Sequence, residues 1–238
     1  MKPIINTRLL LILSRVLLFL GVIIGLALSV IAIWNNLEST NYYFTGVTYA
    51  PFKGLRCPLM IAPAESGIVT AVFNNPTNEE DDFFYRAEIS GKAFTTRKIE
   101  DQIAVPAHQA QSIRFTVDAQ DVDLLFFVLV KITLLPNSVH RSQEATCGML
   151  VANILGLTGL QVSIAALFLS VLGIVVGLGL WQPTCPKADR DLRRVAQILG
   201  LVVFLTFLAA YMDLWAVAVV LTVVSLLLML ISLRLALG

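Results

Sequence analysis

The feature that most constrains this sequence is how long it runs without a charge. No Asp, Glu, Lys or Arg interrupts residues 16–34, 145–186, 195–212 or 214–233. An α-helix advances about 1.5 Å per residue and a hydrocarbon core is about 30 Å thick, so a span needs about twenty apolar residues. All four stretches meet that length, and they predict four transmembrane helices. Lipid offers no water to an unpaired peptide group, so a crossing segment of this kind must close its hydrogen bonds internally. Composition agrees: 57% of the 238 residues are hydrophobic and 14% are charged, against roughly 45–50% and about 25% in soluble domains.

The stretches divide the chain. Residues 1–15 precede the first span, 16–34, which reads as an uncleaved anchor. A secretory signal would have an apolar region of about 7–15 residues and a small-x-small cleavage site, and Val30-Ile31-Ala32-Ile33-Trp34 offers none. The second charge-free stretch exceeds what a membrane requires. Within 148–181 the span is therefore set at 158–181, with Met149 to Leu157 either standing above the hydrocarbon or continuing the preceding domain. Pro183, just beyond Trp181, is expected to end that helix. A polar loop, 182–194, leads to a hairpin of spans 195–212 and 214–233, and 234–238 closes the chain. Trp34, Trp181, Tyr211 and Trp215 stand at span ends, where amphipathic rings anchor a helix at the membrane–water boundary. Asp213 reads as an outer turn capping the fourth helix; the sharper alternative is an ionisable site inside the membrane.

Charge sets the orientation. The formal net charge of +1 conceals an asymmetry. The short segments hold Lys2, Arg8, Arg15, Lys187, Arg190, Arg193, Arg194 and Arg234 against only Asp189 and Asp191, whereas 35–147 holds nine basic and thirteen acidic residues. Cytoplasmic loops carry the basic excess, so both termini and 182–194 are placed in the cytoplasm and 35–147 outside. Of the three cysteines, Cys57 and Cys147 then fall in the oxidising compartment and Cys185 in the reducing one. A Cys57–Cys147 disulfide is expected, with two buried free thiols as the alternative. Closing a loop of about ninety residues contributes about 4–5 kcal/mol in the chain-entropy account. Cys185, between two prolines, reads as an inert thiol ahead of an acylation site.

Residues 35–147 have the composition of one water-soluble domain. Alternating, β-branched runs at 68–73, 83–89, 99–105, 112–117 and 125–134 are separated by Asn74-Asn75-Pro76-Thr77-Asn78 and Pro106-Ala107-His108. Such spacing predicts an antiparallel β-sandwich of about seven strands, with no helical periodicity. Glu79-Glu80-Asp81-Asp82 lacks the alternate ligands and glycine of a calcium loop and reads as a solvated hairpin tip.

The series from Val69 to Thr77 (VTAVFNNPT), from Tyr85 to Ile89 (YRAEI) and from Ile103 to Val117 (IAVPAHQAQSIRFTV) resembles the bacterial and archaeal cell-surface Ig-like domains. In those domains a strand ending in Asn-Pro or Asn-Gly is followed by a proline-glycine-x-serine turn before another strand. The likeness spans about fifty of the 238 residues, and Ala107 and His108 stand where that family has glycine. It implies a binding or spacer module with no catalytic residues. The expected fold class is therefore mixed: membrane α plus all-β, with four transmembrane helices and an Ig-like antiparallel sandwich between the first and second. The layout is also similar to that of claudin-like proteins, whose tryptophan and paired-cysteine motif is absent here.

Reactive constellations are not evident. His108 and His140 are the two histidines; no metal-ligand spacing, Gly-rich phosphate loop or Gly-x-Ser-x-Gly is present. No enzyme activity, cofactor or nucleic-acid partner is expected. A carrier would need polar or broken helices near the midplane, and Gln161 is the most polar residue of the second helix. Small residues do recur at helical spacing: Gly21, Gly25 and Ser29 on the first helix, and Ser170, Gly173 and Gly177 on the second. Such faces let backbones approach in lipid, either within the chain or with another subunit. The expected function is a structural or accessory subunit of a membrane or envelope complex, presenting the outside domain to a protein partner. The alternatives are an accessory subunit of a transporter or channel and a ligand-binding or sensor module.

Overall fold

The computed structural model describes residues 7–44, 49–135, 142–184, 190–212 and 214–237. It divides into two compact units, Met1–Ile33 with Ser163–Gly238, and Trp34–Val162. The described chain carries four α-helices: α1 (Thr7–Tyr42), α2 (Gly159–Thr184), α3 (Arg190–Tyr211) and α4 (Trp215–Leu237). All four are long and apolar enough to cross a membrane. Asp213, Cys185 and His140 lie outside the described residues.

The first unit is helical. Its buried side chains form small apolar layers: Leu18 with Trp181 and Ala196, Val22 and Leu26 with Leu199 and Val203, and Ile33 with Ala209, Ala210 and Ala218. Hydroxyls inside these helices bond back to their own turns. Ser29 Oγ donates to the Gly25 carbonyl at 3.0 Å, Thr206 Oγ1 to Val202 at 2.7 Å and Ser225 Oγ to Leu221 at 2.8 Å. This local bonding lets a polar group sit in an apolar helix without a foreign partner. The helix α2 carries through Pro183 to Thr184, one residue beyond the stop expected at that proline.

The second unit holds nine strands: β1 (Ala50–Pro51), β2 (Leu55–Arg56), β3 (Met60–Ile61), β4 (Gly67–Asn74), β5 (Asp81–Gly91), β6 (Thr95–Val105), β7 (Ala110–Val117), β8 (Phe127–Leu134) and β9 (Gln143–Val151). One sheet has the order β1-β9-β8-β5-β6, with β3 also on β9, and the other has the order β2-β4-β7. The all-antiparallel expectation fails at the β9 edge, where β1 and β3 run parallel to β9. Parallel neighbours need a long connection, and these strands lie near opposite ends of the unit's sequence.

Both sheets feed the same apolar clusters. Ala71 and Phe73 of β4 pack with Phe83 and Tyr85 of β5 and with Ile132 and Leu134 of β8. Val69 and Val117 pack with Ile89, Val128, Val130 and Met149. Fully buried Phe73 is the centre, its ring centroid 5.4 Å from Phe52, 5.8 Å from Phe83 and 5.5 Å from Tyr85. The chain passes from one sheet to the other between β4 and β5, so Glu79-Glu80-Asp81-Asp82 belongs to a crossover and the start of β5, not to a hairpin tip. Asn75 pins that crossover, its Nδ2 donating to the carbonyls of Glu79 and Val105, each at 2.8 Å. At the return crossover His108 takes φ 55°, a left-handed conformation that glycine adopts at lower cost.

Strand β8 is buried along almost its whole length. One face meets the clusters just described, and the other is covered by the end of α1. Tyr43, just past the helix, packs on Phe127 and Leu129, and its hydroxyl lies 3.0 Å from the carbonyl oxygens of both Glu88 and Leu129. Asn35 Nδ2 donates to the Leu59 carbonyl at 2.8 Å, and Thr40 meets Thr146 at 3.3 Å. Residues 35–42 are thus helical, where the sequence read as the start of a purely β domain. At its other end the unit runs past Cys147, since Met149 to Val151 continue β9.

Candidate interaction surface

The open side of the six-stranded sheet is β6. It is an edge strand of 11 residues, exposed at most positions, with one neighbour, β5. Free N–H and C=O groups along such an edge invite pairing with another chain, and charged side chains restrain that pairing. Here Arg86 Nε meets Glu100 Oε1 at 2.6 Å and Lys98 Nζ meets Glu88 Oε1 at 3.3 Å across the β5–β6 ladder. Being solvated, each pair contributes at most about 1 kcal/mol; their effect is on which partners can approach.

Beside this edge lies an open polar hollow of about 740 Å³, lined by Ser90, Lys92, Thr96, Arg97, Thr116 and Gln120 among others. Its floor is fixed by Asp121, which is 7% exposed. Arg97 Nη2 donates to Asp121 Oδ2 at 2.9 Å and to the Thr116 carbonyl at 3.0 Å. Asp118 caps the short turn Ala119–Asp121, accepting from Gln120 N at 2.7 Å, while Asp121 Oδ2 accepts from Asp118 N at 3.1 Å. Ser90 Oγ donates to the Asp121 carbonyl at 2.7 Å and accepts from Leu129 N at 2.9 Å. The hollow presents hydroxyls and charges held in place, and can hydrogen-bond a polar surface.

A second carboxylate organises the end of α1. Asp123 Oδ2 accepts from the Tyr42 hydroxyl at 2.8 Å and from Phe94 N at 3.0 Å, and Oδ1 accepts from Leu124 N at 2.8 Å. Burial pushes the Tyr42 hydroxyl well above its ordinary pKa, and the bond to Asp123 and its charge push the same way. Tyr43 is raised first by burial and then by surrounding charges. Both hydroxyls therefore stay neutral and serve as donors. Among the described residues no group of three or more His, Cys, Asp or Glu is placed to hold a metal ion. His108 Nε2 meets Asn78 Oδ1 at 2.8 Å within the crossover turns.

The remaining residues singled out by sequence are placed as follows. Cys57 and Cys147 are joined in a disulfide, with Cα atoms 6.2 Å apart. The two small-residue faces meet each other. A Cβ on Gly173 would stand 3.0 Å from Gly21 Cα, one on Gly21 would stand 2.7 Å from the Ser170 carbonyl oxygen, and one on Gly177 would stand 2.8 Å from Leu18 N. Ser170 Oγ donates across to the Gly21 carbonyl at 2.8 Å. Gly25 faces Ser170 and Val203, while Ser29 bonds within its own helix. Trp34, Tyr211 and Trp215 are exposed, as an anchor requires. Trp181 is not: at 1% exposure it is packed against Leu18 and Ala196, with the Arg15 guanidinium 5.6 Å from the ring centroid. Gln161 belongs to a cap. Thr158 N donates to Gln161 Oε1 at 3.0 Å and Gln161 N to Thr158 Oγ1 at 3.3 Å, the reciprocal box that Thr-x-x-Gln encodes.

No family model and no curated protein matches the chain. Among solved structures it is similar to a cycloisomaltooligosaccharide glucanotransferase from Paenibacillus sp., at 13% identity and a TM-score of 0.36. That match covers 44% of this chain and 14% of the other, so the chain spans a small part of that protein's length.

Proposed function

We propose that the chain is a non-enzymatic integral membrane protein with cytoplasmic termini. Its outside unit is an Ig-like sandwich that binds a protein partner, as a structural or accessory subunit of a membrane or envelope complex. The observation that carries this reading is the open β6 edge with its guarding ion pairs, next to a polar hollow that contains no nucleophile–base pair. Strand order supports the Ig-like part: β2, β4 and β7 fall where Ig domains have strands A, B and E, and β5, β6, β8 and β9 fall where they have C, C′, F and G. Antibody domains add an intersheet disulfide and a core tryptophan. Here the aromatic cluster around Phe73 occupies the core, and the disulfide joins Cys57 to Cys147 of β9 instead.

Photo-crosslinking from Thr96 on β6, with Gln111 on β7 as the comparison site, tests the role. A discrete adduct formed from Thr96 in intact membranes, and reduced by Glu100→Lys, is the expected result. A protein that runs as a lone monomer in mild detergent and forms no adduct from either site would refute it.

A further inference from the structure

The second unit has large apolar side chains that folding leaves in the open. Leu125 and Leu155 are each 92% exposed, with Phe126 at 45% and Ile154 at 40%. They come from two segments that meet. Asp123 and Phe127 exchange backbone bonds at 2.8 and 3.0 Å, leaving Leu124, Leu125 and Phe126 as a tight tip. Val151 N then donates to the Phe126 carbonyl at 2.7 Å, which brings the end of β9 and the loop after it alongside. That loop folds on itself, Leu157 N donating to the Ile154 carbonyl at 3.0 Å.

The backbone makes the exposure more telling. Leu124, Leu125 and Leu155 have φ of 47°, 73° and 54°. The left-handed region is costly for a side chain with a Cβ, and glycine or asparagine would relieve it. Leu124 recovers part of that cost by packing on Phe127 and Leu129, but Leu125 and Leu155 bury almost nothing, and strain of this kind is expected where a segment serves a purpose. Free charge is sparse as well. No charged side chain occurs between Glu144 and Lys187. Asp123 is 8% exposed with both oxygens engaged, and Glu65 Oε2, at the start of α2, accepts from Gly159 N at 2.7 Å and from Ala62 N at 2.9 Å. Finally, Leu155 lies four residues before α2, which begins at Gly159 within this same unit. Four extended residues reach about 14 Å at most, and the polar zone of each leaflet is about 5–8 Å deep. The tether thus keeps Leu155 within about 14 Å of the start of the α2 span.

We propose that the tip at 124–126 and the loop at 153–157 form one lipid-docking surface. Leu125, Phe126, Ile154 and Leu155 enter the boundary between headgroups and acyl chains of the outer leaflet and seat the β unit on the membrane. This rests on the membrane assignment proposed above and is independent of the partner-binding role.

The test uses full-length protein with Cys185→Ser, reconstituted in phosphatidylcholine vesicles. An environment-sensitive fluorophore is placed on a single cysteine replacing Leu125, Leu155, Ile68 or Val171. Ile68 is an exposed position of β4, at 55%, and Val171 lies in α2. Retention of the Cys57–Cys147 disulfide and of the β-sheet circular dichroism certifies each variant. Lipids bearing a nitroxide near the headgroup should quench the probes at 125 and 155 and spare the one at 68, and lipids with a deep nitroxide should quench the one at 171. Probes at 125 and 155 that behave like the one at 68, while 171 is quenched, overturn the docking surface and leave the membrane assignment standing. Quenching at only one of the two tips also overturns it, as does a blue shift without quenching, which means that protein, a second copy or another chain, covers the leucines. Loss of quenching at 171 brings down the membrane assignment and the docking surface together.

Discussion

The two units reach close packing by opposite means. The β unit fills its centre: Phe73 and its aromatic neighbours exclude water from between two sheets, and their burial drives folding. The helical unit sets its large side chains, such as Trp181 and Leu18, beside a seam of small ones: α1 and α2 approach closely at Gly21 and Gly173, where side chains are missing and a serine hydroxyl bridges the backbones. In lipid, leucine against leucine gains little over leucine against an acyl chain, so contact has to come from proximity. The lesson is that one sequence is written in two codes, large for small in one unit and small for large in the other.

Substitutions that cross the codes test this, and the largest effect is expected in the sheets. Phe73→Ala leaves a cavity and should cost about 3–5 kcal/mol, read as a fall in the denaturant midpoint of the β-sheet signal; a loss below about 1 kcal/mol would break the comparison. Replacing both Cys57 and Cys147 by Ser should cost about 2–5 kcal/mol in the same measurement and leave helix association unchanged. In the helical unit the sign of the size rule reverses. Gly173→Leu has nowhere to put its Cβ and should cost about 1–3 kcal/mol, measured by steric trapping or by SDS titration of the folded helices. A neutral result there would mean that the glycine faces do not meet.

The smallest effect is one of pH. Burial raises the pKa of the Tyr43 hydroxyl above its unfolded value. As pH rises through about 10, the unfolded chain loses its tyrosine protons first. The stabilisation is therefore complete below that pH and declines above it. Thermal midpoints of the β unit should be flat through neutrality and drop in strong alkali, with a shallower drop in Tyr43→Phe.

Much of this was legible in advance. Charge-free length is enough to mark α1 to α4, period-two alternation marks β4 to β7 because one face of each meets a core, and β8, covered on both faces, shows instead as an apolar β-branched run. Cys57 and Cys147 are the two cysteines of the one water-soluble block, which is what makes their pairing readable. The end of α1 was hidden: Asn35-Asn36-Leu37-Glu38-Ser39-Thr40 is poor helix sequence, and what holds it is tertiary, through Asn35 to Leu59 and Tyr43 to β8. Strands of two residues such as β1 and β3 carry no periodicity, so their parallel pairing with β9 could not be read. Trp181 was misplaced because position at a span end does not reveal which way a ring turns. Thr158 and Gln161 carry a readable signal, the Thr-x-x-Gln spacing of a capping box, which a reading of Gln161 as a polar residue within a span overlooks.

The Cys57–Cys147 bond also closes most of the β unit into a covalent ring. A protease that cuts the backbone once between those two residues opens the ring and detaches nothing; shedding any piece takes two cuts. Nicked and intact molecules would then run at nearly the same size, the nick adding one water, and separate only after reduction, so the disulfide holds this unit together after cleavage as well as against unfolding.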